Sequence, residues 1–451
     1  FEQACGEAAK AAAQGDFAQA CQGYTEAARR LPLSAEVQFR LGECALRQTN
    51  YAAARQYFQR ALDADLLPFR TDSRLNGLIR QAGLQFAGPN LVLCDAAELL
   101  ATNSPAGIVG QESFYEHVHF NFDGNYRLAR LWAAAVEALL PAAVRQQCRP
   151  VWASQATCER LLGLTDWNRL SVIMDVIGRV SQAPLNRQLN HTQRLDGLQL
   201  WAKDLREHMA ATPHAQARTV YTEALQHDPD NYRLHDNYAE FLDLVGDLKE
   251  AAVERGKSRD LIPYYYFSHY SLGLVLKELG RLDEARDALL QAVALNPQLG
   301  DVHLELGTVY ARRMEWALAA QEYERAHQLR PEDPRVLLYS GEVLWKLNRR
   351  AEALEQLRQA LRLDPGYWEA HYRLGEDLAV EGQIAEATAE FKETLRINPR
   401  YVKAHVNLAV ALLKLGRSQE AAQQFEETLR LDPNNKQALE FQRQALGQPR
   451  R

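Results

Sequence analysis

Small and apolar positions return along the C-terminal half of this chain with a fixed period. Alanines fall at Ala251, Ala285, Ala319, Ala353, Ala387 and Ala421, each 34 residues after the last. Glycines keep the same step at Gly273, Gly307, Gly341 and Gly375, with Ala239 and Ala409 in that slot elsewhere. Large side chains at Tyr323, Phe391 and Phe425 share a third register. A repeat of this length predicts one supersecondary unit copied and stacked, each copy burying its neighbour's apolar face. Small positions belong where two helices of a unit cross, and the large ones are expected to fill the groove against the next unit. Prolines keep the period as well, at Pro229, Pro263, Pro297, Pro331, Pro365, Pro399 and Pro433. Each should end a second helix, because proline lacks an N–H and pushes its predecessor out of the α region. That predecessor is often Asp or Asn (Asp228, Asn296, Asp364, Asn398, Asp432), which suits a turn.

This pattern resembles the tetratricopeptide repeat (TPR). It predicts six full repeats from Tyr232 to Asn435, a helix before them and a capping helix after. The same phase occurs at the front, where Ala20, Tyr24, Ala27 and Pro32 are matched by Ala54, Phe58 and Ala61, with Gly42 in the glycine slot. Residues 1–34 and 35–68 should form a further pair. The period then fails, with Leu66 where a proline is due and Pro68 two residues late.

Residues 69–142 read differently. Asp72 or Ser73 could cap a helix from Arg74 to about Ala82, and Gly88-Pro89 then turns into Asn90–Ala96. Leu91 to Cys94 is apolar on both faces, as in a parallel strand buried beneath helices. Because a single strand is not a sheet, its partners are expected from sequence upstream or from another chain. A loop from Thr102 to Gly110 precedes a polar cluster, and a helix is expected from about Asn125 to Leu140. From Pro141 to Thr212 the pattern is helical without the repeat, with Ser154 and Thr165 as helix caps and Ala183–His191 as an extended crossing.

Composition narrows the function classes. Across 451 residues the net charge is −6 and 24% of residues are charged, so no polybasic surface suggests nucleic acid or an anionic membrane. No apolar run approaches the roughly 20 residues of a membrane-spanning helix. The chain starts at Phe1 within a helical pattern, so the natural protein is expected to begin upstream. Six cysteines (Cys5, Cys21, Cys44, Cys94, Cys148, Cys158) show no metal-ligand spacing. Buried thiols are the favoured reading, with a Cys148–Cys158 pair left open.

Candidate chemistry gathers in Phe114–Arg130, where Glu116, His117 and His119 precede Phe120, Phe122 and Tyr126 alternating with Asn121, Asp123 and Asn125. The segment from Asp72 to Leu140 resembles the C-terminal end of an SGNH (GDSL-type) hydrolase domain. There a last strand leads into a loop carrying an acid three residues before a histidine. The resemblance implies His119 as the base and Glu116 as the acid that orients it. It also resembles a bacterial subgroup in which TPR repeats interrupt or follow such a domain. A serine hydroxyl needs an imidazole to take its proton and that imidazole needs an acid to set its tautomer. The family's Gly-Asp-Ser block has no match here, so the nucleophile would lie before Phe1. Two other readings stand beside this one: polar side chains that satisfy the backbone of a packed joint, and a metal site using His117 and His119.

The repeats offer a second candidate, a groove lined by first-helix residues. Arg233, Asp236, Phe267, Tyr270, Arg312, Arg335, Trp345, Tyr372 and Lys403 are its expected partner-binding residues, since aromatic side chains beside charge suit peptide capture. The fold expected is mainly α: a TPR superhelix, with two N-terminal and six C-terminal repeats, flanking a small partial α/β SGNH-like segment. The divisions are 1–68, two repeats; 69–142, the hydrolase-like segment; 143–214, a helical connector; 215–435, the main array; and 436–451, a capping helix and tail. The function expected is a protein-interaction scaffold fused to part of an ester hydrolase or acyltransferase, or a non-catalytic adaptor in a larger assembly. Partners would be proteins or peptides; no cofactor is implied. A bacterial envelope location is expected by analogy with TPR-bearing hydrolases.

Overall fold

A computed structural model describes residues 1–65, 72–88, 91–110, 112–115, 119–147, 152–187, 190–211 and 214–445. The described residues are mainly α-helical and fall into two compact units, Phe1–His227 and Asp228–Arg451.

The C-terminal unit is a stack of helix pairs. First helices, called A, span Tyr232–Leu244, Tyr266–Glu278, Gly300–Arg312, Pro334–Lys346, Trp368–Val380 and Val402–Lys414. Second helices, called B, span Leu248–Leu261, Leu282–Leu295, Trp316–Leu329, Arg350–Leu363, Ile384–Ile397 and Ser418–Leu431, and Lys436–Ala445 follows. Each B helix packs on its own A helix and on the next repeat's A helix. A helices of successive repeats also approach one another, which places them on the inner side of the stack.

The crossing of A with B depends on the missing side chain at the glycine slot. A Cβ on Gly307 would stand 2.6 Å from the Tyr323 ring, and one on Gly375 would stand 2.7 Å from Phe391. The large side chains therefore seat first on the A helix of their own repeat, not only on the next one as the pattern suggested. Their outer edges still reach forward, with Tyr323 and Tyr339 ring centres 6.0 Å apart and Phe425 and Phe441 5.9 Å apart. Ala285, Ala319, Ala353, Ala387 and Ala421 are all fully buried at the same crossing.

Every B helix stops two residues before its proline, and the residue between is extended in all six repeats, with φ from −146° to −123°. This is the conformation that a following proline enforces. The proline carbonyl is then bound by an A-helix histidine six residues on. Nε2 of His235, His269, His303, His371 and His405 lies 2.9, 2.9, 3.3, 3.2 and 3.0 Å from the carbonyl oxygens of Pro229, Pro263, Pro297, Pro365 and Pro399. A carbonyl only accepts, so Nε2 carries a proton. In three repeats Nδ1 meets a carboxylate on helix B: His235–Glu254 at 2.5 Å, His303–Glu322 at 2.7 Å and His371–Glu390 at 2.6 Å. That group also only accepts, which in His235 and His371 favours the doubly protonated ring. Burial of the rings of His235 and His371 opposes charge, yet the carboxylate contacts outweigh it and raise both above the ordinary histidine value. Leu337 fills the same slot in the fourth repeat and is fully buried.

The N-terminal unit begins with two helix pairs, Glu2–Ala13 with Phe17–Arg30 and Ala35–Arg47 with Tyr51–Asp63. Gly42 sits against Phe58 as the corresponding pairs do in the other unit. A disulfide joins Cys21 to Cys44, with Cα atoms 5.7 Å apart, and so ties the second helix of one repeat to the first of the next. This corrects the reading of these cysteines as thiols: they are 23 residues apart and meet only through repeat stacking. Cys158 is a free thiol, and Cys148 lies outside the described residues.

Beyond these repeats, Asp72 caps Ser73–Gln85 by accepting from the Leu75 N–H at 2.7 Å. The strand expected at Leu91–Cys94 does not form. Gly88 and Leu91 make one isolated bridge, Leu91 and Val92 are about half exposed, and no strand lies beside them among the described residues. An extended segment without a neighbour leaves its backbone groups to solvent. Helices then span Ala96–Thr102, Phe122–Leu139, Gln155–Leu161, Asp166–Val180, His191–Ala211 and His214–His227. The expected extended crossing at Ala183–His191 instead contains a 3-10 turn at Leu185–Arg187. Among its described residues, the expected partial α/β segment is thus helices and loops.

Ala387→Leu places extra carbon atoms in a fully buried helix crossing and should cost about 1–3 kcal/mol, read as a lower midpoint in denaturant. The charged His235 and His371 rings stabilise the fold in full below the ordinary histidine value of about 6.5. That contribution is lost as pH rises through their raised folded values. Thermal stability should therefore fall from mildly acidic to alkaline pH. The double substitution His235→Leu, His371→Leu should flatten that dependence in melts recorded across the pH series.

Candidate functional site

The described residues before the Phe122–Leu139 helix, 112–115 and 119–121, close on one another. Tyr115 N–H donates to the His119 carbonyl at 2.9 Å, and Asn121 N–H donates to the Ser113 carbonyl at 2.9 Å. Phe114 and Phe120 rings stack 4.4 Å apart. Asn121 caps the helix by accepting from Gly124 N–H at 2.8 Å, which starts the helix three residues before Asn125. Gly124 is obligatory, since a Cβ there would lie 2.0 Å from the Ser113 carbonyl oxygen. Tyr115 is buried with Ile173, Val176, Val180, Leu198 and Leu205 and stacks on Trp201. The backbone and apolar side chains here form a joint between helices. His119 is exposed on it; Glu116 and His117 lie outside the described residues. The last strand and sheet that would place this loop in an SGNH-type site are missing from the described structure, so the resemblance gains no support here.

The expected groove residues stand at positions two, five, twelve and thirteen of the A helices. Arg233 is exposed and lies over Tyr232, its guanidinium 5.6 Å from the ring centre. Asp236 is half-buried, and burial raises its carboxyl above the usual range. Phe267 remains 40% exposed beside Tyr270, whose hydroxyl burial has pushed up to about 12. Arg312 donates to the Lys277 carbonyl at 3.0 Å, and Arg335 clamps Asp333 at 2.7 Å, so both are engaged within the chain. Trp345 is covered by Arg350 at 5.2 Å. Tyr372 is half-buried against Tyr401 at 4.8 Å, and Lys403 is exposed. The nine residues thus share one set of helices without converging. Phe267 and Lys403 are open to a partner, whereas Arg335 and Trp345 serve neighbouring contacts.

A tighter grouping lies between them. Glu305, Glu342, Glu376 and Asp377 stand on three consecutive A helices, alongside Tyr339 and Tyr372. Lys277 neutralises Glu305 at 2.6 Å, and Glu376 accepts from the Tyr372 hydroxyl at 2.7 Å and from Asn407 at 3.3 Å. Asp377 is 2% exposed in a slot that other repeats fill with Phe241, Val275, Val309, Val343 and Ala411. The comparison of corresponding repeat positions would have singled it out, just as the 34-residue spacing would have revealed the histidines.

The tetratricopeptide repeat profile matches residues 6–65, 270–334, 340–393 and 374–436. The type IV pilus assembly protein PilF of Pseudomonas aeruginosa is 29% identical over 117 residues, which are 26% of this chain and 44% of that protein. The human protein O-mannosyl-transferase TMTC3 is 25% identical over 171 residues, 35% of this chain and 19% of that protein. The chain therefore spans less than half the length of either relative. Among solved structures, YrrB, a TPR protein with an unusual peptide-binding site, is 22% identical with a TM-score of 0.36, covering 42% of this chain and 97% of that one. Across these stretches, just under half of the chain, the sequence is built of tetratricopeptide repeats.

Proposed function

We propose that the chain is an interaction scaffold that holds a protein or peptide segment along the A-helix face of its C-terminal repeats. The observation that carries this reading is the set of exposed and half-exposed aromatic and charged side chains on the A helices, Phe267 and Tyr270 on the second and Tyr372 and Lys403 on the fifth and sixth. Stacked repeats of this kind present extended binding surfaces, and aromatic anchors beside charge supply most of the energy in such contacts. The larger body in which it works is a multiprotein assembly at a bacterial envelope. Similarity to a pilus assembly protein over a quarter of the chain supports this, as does the Cys21–Cys44 disulfide. Disulfides persist chiefly in oxidising compartments. No helix among the described residues is long and apolar enough to cross a membrane.

Short random peptides displayed on phage and selected on the full chain should yield binders. For these, Phe267→Ala with Lys403→Glu should weaken binding about tenfold or more, measured by fluorescence anisotropy. Glu355→Lys, on an exposed B-helix surface, should leave it unchanged; the reverse pattern would reject the inner face. Reduction of Cys21–Cys44 should cost about 3 kcal/mol, detected as a lower denaturation midpoint in dithiothreitol that Cys21→Ala reproduces.

A further inference from the structure

We propose that the Ser73–Gln85 helix is the contact through which two copies of this chain pair about a two-fold axis. Leu75, Leu78, Ile79, Ala82 and Phe86 recur at helical spacing and form one apolar stripe along it. Such a stripe ordinarily faces a core. Here Leu75, Leu78 and Ile79 are each about half exposed, and Phe86 is 66% exposed. The helix buries none of its residues. It is held on a different side, where Gly83 lies against Leu93 and Arg80 pairs with Asp95. A 13-residue helix is marginal in water without tertiary packing of its apolar face, so this stripe calls for a cover.

The spacing of the stripe fits a second copy. From Leu75 to Ile79, Ala82 and Phe86 the steps are four, three and four residues, a pattern that reads the same in either direction. An antiparallel copy therefore sets Leu75 of one chain against Phe86 of the other, and Ile79 against Ala82. A large side chain meets a small one at the centre, which lets the two helix axes approach closely. Each contact then occurs twice, as a two-fold interface requires. Charge agrees with this arrangement. The helix carries only Arg74 and Arg80. Arg80 is engaged by Asp95 away from the stripe, and antiparallel pairing puts the two copies of Arg74 at opposite ends of the contact. A parallel pair would set them side by side. Leu91 and Val92, which leave the end of the helix through the Gly88–Leu91 bridge, are about half exposed as well. Together these side chains offer roughly 500 Å² of apolar surface per copy. A pair would bury roughly 1,000 Å² before its polar rim is counted, which reaches the area that a specific interface needs.

Sedimentation velocity of the full chain across a dilution series should show a monomer–dimer equilibrium. Ile79→Glu should weaken it about tenfold or more, by setting an unpaired charge in the contact. Ala82→Lys should do the same. Leu84→Glu, on the opposite side of the helix, should leave the equilibrium unchanged. Mixing the Ile79→Glu chain with the Ala82→Lys chain should restore dimers, because the antiparallel register brings the introduced carboxylate beside the introduced ammonium. That rescue also shows that both variants are folded. A chain that stays monomeric up to about 100 μM would overturn the proposal, whatever other protein then proves to cover the stripe. Dimers indifferent to Ile79→Glu, dimers lost equally to Leu84→Glu, or mixed variants that fail to pair would overturn it too.

Discussion

The close approach of two helices over a missing side chain is the constraint on which this structure depends. Where Gly307 and Gly375 face Tyr323 and Phe391, the ring lies against backbone and the A and B helices pack as one ridge. The same contact recurs at Gly42 and Phe58 in the N-terminal unit. Because interiors are packed to crystal-like density, that spacing is repeated from one copy to the next. It sets the stacking of A helices into a face that side chains can line. Proline then limits each B helix, and a histidine turns the proline carbonyl from a loose end into a hydrogen-bonded corner.

Within so regular a frame, departures carry the most information. Leu337 replaces a histidine with an apolar side chain and keeps the packing. Asp377 does the opposite, placing a carboxyl group where packing alone asks for valine. The first gives up the histidine's bond to the proline carbonyl for apolar burial. The second is a buried carboxyl held at 3.4 Å by Arg373, one turn earlier on the same helix. Arg312 and Arg335 show why charge on the inner face is not sufficient for a binding role: both are held by neighbouring backbone or carboxylate groups.

The central part of the N-terminal unit departs for a different reason. Its polar cluster and its apolar run at Leu91–Cys94 suggested an α/β site, yet a strand exists only through partners. Gly88 and Leu91 close on each other instead. Tyr115, Phe122 and Trp201 make the loop a packed joint, and His119 projects from it. Local alternation and a motif of a few residues could not distinguish that outcome, because the apolar surface that buries Tyr115, from Ile173 to Leu205, lies outside the segment.

The sequence by itself determined the repeats: prolines, glycines and alanines each 34 residues apart placed every helix pair of the array in register, since those residue types act through backbone geometry next to them. It also held the histidine spacing and the odd carboxylate at position 377, legible once repeats are aligned. Tertiary structure alone decided what those residues meet. The union of Cys21 with Cys44, the pairing of His235 with Glu254 and the engagement of Arg312 by the Lys277 carbonyl depend on groups brought together from separate helices, and Leu91–Cys94 has no strand beside it among the described residues. Contacts of that kind are fixed by packing distance, which no local pattern records.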